Sequence, residues 1–267
     1  MQKQTNSKTY IFQGGAIGVA GRIIHPFQDI VPVQAASALP ASGGFGSARV
    51  DGFRYKEVLS FGSAYTEVIG TEAHEGIFET MTLSVVEKFN LLDVVTCDRI
   101  VARLTGIHSL GSGQASGVSI VPIGSRFERL RVGNQFFERL EIAPDIFCQP
   151  DNTSWSGLQK SLGNTDVYER LASVSLPGPD GKPVPLPHGG QASGVLGFCV
   201  ALGKPESGYP LGRPLCFEVP QFGTVHLGEF FCYPTSRRLI MLRVDMGCPV
   251  QGLISVCGVD GGGDPYP

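Results

Sequence analysis

The sequence predicts an all-β chain: antiparallel sheets built as a sandwich or barrel, with one short helix and long loops rich in glycine and proline. Three observations predict it. Branched and aromatic residues recur in short runs with period-two alternation, the pattern of half-buried strands. Gly (36) and Pro (19) make up about a fifth of the 267 residues, which is a turn-dense composition, while the steady supply of Val, Ile, Leu and Phe argues against disorder. Two aromatic-rich runs flank Gly133-Asn134, a dipeptide that tolerates the positive φ angles of a two-residue hairpin turn.

Taken in order, residues 1–8 are polar and read as a flexible N-terminus. Thr9–Ile24 alternates but carries Gly14, Gly15, Gly18 and Gly21, so a strand with bulges is expected. Pro26, Pro32, Pro40 and a run of Ala, Ser and Gly make 25–46 an extended arm. Ser47–Leu59 and Ala64–Ile69 read as short strands. Phe78–Phe89 and Leu91–Leu104 read as longer ones, parted at Asn90, with a helix as the alternative for the second. Val118–Ile123 leads into Arg126–Ile142.

That segment is the clearest local statement in the chain. Counting outward from Gly133-Asn134 pairs Val132 with Gln135, Leu130 with Phe137, and Glu128 with Arg139. The same count pairs Arg131 with Phe136, Arg129 with Glu138, and Phe127 with Leu140. Cross-strand pairs of this kind contribute roughly 0.2–1 kcal/mol each, and a one-residue slip loses most of them together. A short helix is expected next, capped by Thr153 or Ser154, striped by Trp155, Leu158 and Leu162, and ended at Gly163. Val167–Leu176 and Gly194–Leu202 return to strand pattern. Thr224–Tyr233 and Arg238–Met246 form a second hairpin-like unit, and Gln251–Val259 is the last strand. Residues 9–259 therefore read as one β-rich domain, followed by a flexible tail, 260–267. Gly113–Val118 and Gly190–Val195 share the string G-Q-A-S-G-V, from either duplication or chance.

The bulk chemistry excludes several classes. Net charge is −3 with no basic stripe, so nucleic acid is a poor partner. No window has the roughly 18 consecutive apolar residues of a membrane span. The seven cysteines include no C-x-x-C pair and read mainly as small buried hydrophobes in a reducing cytoplasm, with export by a less visible route as the alternative. No nucleophile elbow or phosphate-binding glycine loop is present, and no cofactor or metal is expected. His226 and Glu229 lie three apart on an expected strand, hence on opposite faces unless Gly228 forms a bulge; a solvated histidine is the expectation.

The span Val95–Ile142, from V-T-C-D-R-I-V-A-R-L to the hairpin, resembles bacterial all-β proteins grouped as choice-of-anchor proteins, and L-I-M-L-R-V-D-M-G-C-P-V is similar to uncharacterised bacterial families. The resemblance implies an adhesive or surface-displayed β domain and no activity.

The function expected is structural: a non-catalytic, soluble β protein that self-assembles into a homo-oligomer or binds another protein. Two alternatives are a glycan- or ligand-binding sandwich and a hydrolase. For the first, flat rings at Trp155, Tyr168 and Tyr209 could cover sugar faces, with Asp145 and Asp151 on the loops beside them. For the second, Asp145 and Glu229 would converge from distant loops.

Overall fold

The computed structural model describes residues 9–110, 117–142, 176–177, 183–184, 196–199, 216–232 and 235–266. No helix occurs among them; the helix expected near 153–163 lies outside the described residues, and no described helix is long and apolar enough to cross a membrane. The strands are β1 (Thr9–His25), β2 (Asp29–Ala38), β3 (Gly44–Tyr55), β4 (Leu59–His74), β5 (Ile77–Leu91), β6 (Val95–Ser109), β7 (Gly117–Val121), β8 (Arg126–Val132) and β9 (Gln135–Glu141). They continue as β10 (Leu176–Pro177), β11 (Pro183–Val184), β12 (Leu196–Cys199), β13 (Cys216–Val219), β14 (Gly223–Cys232), β15 (Ser236–Met246) and β16 (Gln251–Tyr266).

Two seven-stranded antiparallel sheets result, neither closed into a barrel. The first has the order β12-β14-β15-β16-β1-β2, with β13 also on β14; the second has the order β3-β4-β5-β6-β8-β9, with β7 also on β6. β10 and β11 form a separate short pair. The two large sheets stack, β1 over β4 and β5 and β16 over β5 and β6, around one apolar core. Side chains also tie them directly: Ser84 Oγ donates to the Ile17 carbonyl at 2.9 Å, and Cys257 Sγ lies 3.4 Å from the Ile100 carbonyl.

Each sheet is crossed by a seam at which facing residues drop out of the pairing without a register shift. In the first, pairing skips Gly228, Met241, Cys257, Gly18 and Ala35 on five successive strands. In the second it skips Gly52, Gly62, Lys88, Asp98, Arg129 and Glu138 on six. Alternate strands carry a left-handed residue there: φ is +51° at Ala35 and Cys257, +67° at Gly228 and Gly52, and +53° at Lys88 and Arg129. One residue is skipped on both paired strands, so the register holds but the in-out alternation breaks, and side chains three apart point the same way. Val86 and Phe89, Phe127 and Leu130, Phe137 and Leu140, and Leu227 and Phe230 are accordingly all buried.

The expected hairpin forms with the expected turn and register, but the seam changes its chemistry. Arg129, in the left-handed conformation, does not pair with Glu138; it faces Asp98 at 3.4 Å. No Glu128–Arg139 ion pair forms either. Glu128 binds Arg126 at 2.6 Å, and Arg139 binds Glu141, both along their own strands. The core of the hairpin is Phe127, Leu130, Val132, Phe137 and Leu140.

Two further expectations change, and the alternative left open for Leu91–Leu104 is settled as strand. The supposed arm, 25–46, is mostly strand: β2 covers Asp29–Ala38 and β3 starts at Gly44. Leu91–Leu104 is a turn followed by strand, not a helix; Asn90 accepts from the Asp93 amide at 2.9 Å, which sets the turn. Residues 260–266 are not a loose tail. They extend β16 along β1, pairing Gly263 with Phe12 and Gly261 with Gly14. A Cβ at Gly263 would sit 2.1 Å from Tyr10 Oη, so no larger residue fits there without displacing the tyrosine.

Tyr10 belongs to an aromatic cluster in the core. It stacks on Phe78 at 4.4 Å, meets Phe12 edge-on at 4.8 Å and lies 5.1 Å from the His108 ring. His108 is 1% exposed, and neither ring nitrogen has a hydrogen-bond partner. Burial pushes its pKa down to about 4. The unfolded chain therefore takes up this proton first. The stability tied to neutral His108 is complete above about pH 6.5 and is lost as pH falls through 4, by about 3 kcal/mol. Denaturant midpoints between pH 7 and pH 4 should fall for the unmodified chain, and His108→Phe should remove most of that dependence.

Candidate functional site

The outward side of the first sheet carries a chain of ionisable groups that the left-handed Gly228 creates. Leu227 pairs with Leu242 and Glu229 with Ile240, so Gly228 is skipped and Glu229 turns to the same side as His226. Arg243, the pairing partner of His226, lies between the two acids. Its Nε donates to Glu229 Oε2 at 2.8 Å and its Nη2 to Glu229 Oε1 at 2.7 Å, a two-pronged contact. Arg243 also binds Asp245 through Nη1, and Asp245 Oδ2 lies 3.1 Å from His226 Nε2. The sequence of contacts is Glu229–Arg243–Asp245–His226.

Burial and pairing pull in opposite directions here. Burial disfavours the Arg243 charge, yet Glu229 and Asp245 overcome it and hold the guanidinium firmly protonated. Burial likewise pushes the Asp245 carboxyl up, but the contacts to His226 and Arg243 outweigh it and hold Asp245 below the ordinary carboxylate value. Glu229 is 3% exposed with both oxygens occupied by Arg243. His226 is half-buried and bonded, not the solvated strand histidine that was expected. Among the described residues, no group of three or more His, Cys, Asp or Glu could hold a metal ion.

The same sheet exposes apolar surface at the β1–β2 end. Arg22 pairs across to Ile30 on one side and Leu253 on the other, and these two are 68% and 40% exposed. Ile17, Ile24, Phe27 and Val33 are exposed on the same two strands and the turn between them. That turn is anchored. Tyr55 Oη donates to Asp29 at 2.6 Å, and Lys56 Nζ sits 3.4 Å above the Phe27 ring, fixing β1–β2 against the β3–β4 turn.

Trp155, Tyr168, Tyr209, Asp145 and Asp151 lie outside the described residues. Of the expected site residues elsewhere, the hairpin set forms a structural unit in which Phe127, Leu130, Phe137 and Leu140 are buried and Arg129, Asn134, Glu138 and Arg139 exposed, and Glu229 forms an ion pair. The apolar end was missed because Pro32 made D-I-V-P-V read as an arm. The signal available was apolar residues at both odd and even positions, Ile30, Val31 and Val33, in a segment flanked by polar ones.

Residues 10–176 match a family described as Domain of unknown function (DUF8256), more than half of the chain. No curated protein and no solved structure matches it.

The ion chain makes a stability statement. Glu229→Ala leaves Arg243 buried without its main partner and should cost about 3–5 kcal/mol in chemical denaturation. Replacing both Glu229 and Arg243 by Met should recover most of that loss, since the cost comes from the orphaned charge.

Proposed function

We propose that this chain, which belongs to the DUF8256 family, is a non-catalytic structural β-sandwich that associates with further copies of itself. The supporting observation is the apolar end of the first sheet, where Ile30 and Leu253 stand exposed on either side of Arg22. Contiguous exposed apolar surface on a folded domain is the usual mark of a protein-binding face. The neighbouring ion chain supports the same reading: its acids stiffen the sheet and stay engaged with Arg243 and His226.

The mode of association follows from the edge strand. β2 ends the first sheet and contains Pro32 and a register shift between Val31 and Gln34, two features that blunt strand-to-strand addition. Association through the sheet face is therefore favoured over extension of the sheet. The anchored turn keeps this face rigid, which lowers the entropy lost on binding.

Light scattering coupled to size exclusion tests this. The unmodified chain should run above the monomer mass and move toward it on dilution. Ile30→Glu should shift it to monomer at least ten-fold more readily while leaving the thermal midpoint unchanged. A unmodified chain that stays monomeric at high concentration overturns the reading.

A further inference from the structure

The second sheet holds a groove of about 310 Å³ on its outward side, within the size range of small-molecule sites. On one edge β6 changes partners: β8 pairs with it up to Val101, β7 only from Thr105, and among the described residues no strand pairs with Arg103 on that edge, while β5 pairs with it on the other. Ser125 fills that gap. Its hydroxyl accepts from the Arg103 amide at 2.8 Å and donates to the Arg103 carbonyl at 3.0 Å, doing a strand's bonding with one side chain. The groove floor is apolar, with Val85 and Val101 buried and Leu83 and Met81 half-buried beside them.

Three guanidinium groups line this floor, from Arg99, Arg103 and Arg126, and no carboxylate does. Arg126 is committed to Glu128 at 2.6 Å and to the Gly124 carbonyl at 3.1 Å. Arg99 is not. Its Nη2 donates to Tyr65 Oη at 3.2 Å, but its Nε is buried without a hydrogen-bond partner, the nearest acid oxygen, on Glu87, being 3.8 Å away. The exposed Arg103 has no ion-pair partner among the described residues. A buried N–H without an acceptor is costly, and an anionic oxygen is the group that best relieves it.

We infer that this groove binds a small organic carboxylate with an apolar body, the carboxylate between Arg99 and Arg103 and the body on Val85 and Val101. Two features of the lining select this class. Guanidinium pairs match carboxylate oxygens in geometry and charge, and the apolar floor accounts for the remaining surface. A fully hydrated inorganic anion would leave the floor uncovered, and a neutral chain would leave Arg99 Nε unsatisfied.

Titration calorimetry with sodium decanoate tests the assignment, with 1-decanol as the neutral control. One decanoate should bind per chain, and decanol at least ten-fold more weakly. Arg103→Ala should weaken decanoate about ten-fold or more, the effect of one lost charge-assisted contact, without moving the thermal midpoint, because this side chain is exposed. Val101→Asp should abolish binding of both probes; Val101→Thr, which keeps the shape, should retain decanoate. Absence of decanoate binding, equal affinity for decanol, or affinity unchanged in Arg103→Ala overturns the inference. So does an Arg103→Ala chain whose sedimentation changes while its decanoate affinity does not, since the groove would then be a contact for a second copy.

Discussion

At one level in each sheet, facing residues of neighbouring strands drop out of the pairing together while the register holds, and most features of this molecule follow from that shared interruption. The skipped positions line up from Gly228 to Ala35, and from Gly52 to Glu138, and the ladder resumes beyond the seam. The local cost is real, since a non-glycine residue in the left-handed region loses roughly 1–2 kcal/mol. Lys88, Arg129, Ala35 and Cys257 all accept it. The compensation is burial: each strand at the seam places an additional large side chain, Phe89, Phe127 or Phe230 among them, in the core on the far side of the seam.

The seam also decides where polar groups go. At Gly228 it swings Glu229 beside Arg243, producing a buried two-pronged ion pair on a sheet face that alternation would have left to solvent. At Arg129 it points the guanidinium to Asp98 and away from the hairpin partner. Charges in this molecule therefore pair mostly along a strand or across the seam. Arg126–Glu128, Arg139–Glu141, Arg49–Asp51 and Arg243–Asp245 are all two residues apart, on one side of one strand. Such pairs leave the outward surfaces electrically balanced, and the arginine-lined groove of the second sheet stands out against that background.

The two outward surfaces differ in character. The first sheet offers exposed branched side chains next to a rigid turn, suited to another protein surface. The second offers a narrow depression with fixed positive charge, suited to a small anion. The difference arises in the connections. β2 folds back at once on β1, exposing both sides of the turn, whereas β7 and β8 share β6 as a neighbour and leave a gap between them.

Much of the fold was legible in the order of residues. Extended structure, the Gly133-Asn134 turn, the hairpin register and the break near Asn90 depend on neighbours in sequence, where period and turn chemistry act. The side of the sheet that each hairpin residue faces was not legible. A left-handed arginine carries no local mark, and its conformation goes with the burial of both Phe127 and Leu130 in the core. The same reason separates the two ends of the domain. Prolines and glycines at 25–46 and 260–266 signal irregular chain by local rules, yet both segments lie in strands because β1 offers each a partner edge hundreds of residues away or just before it. Composition and local pattern determined that this chain forms antiparallel sheets. The pairing seams, the partner of each charge and the surfaces left for binding were decided by tertiary structure, because each depends on which strands meet and not on the strands themselves.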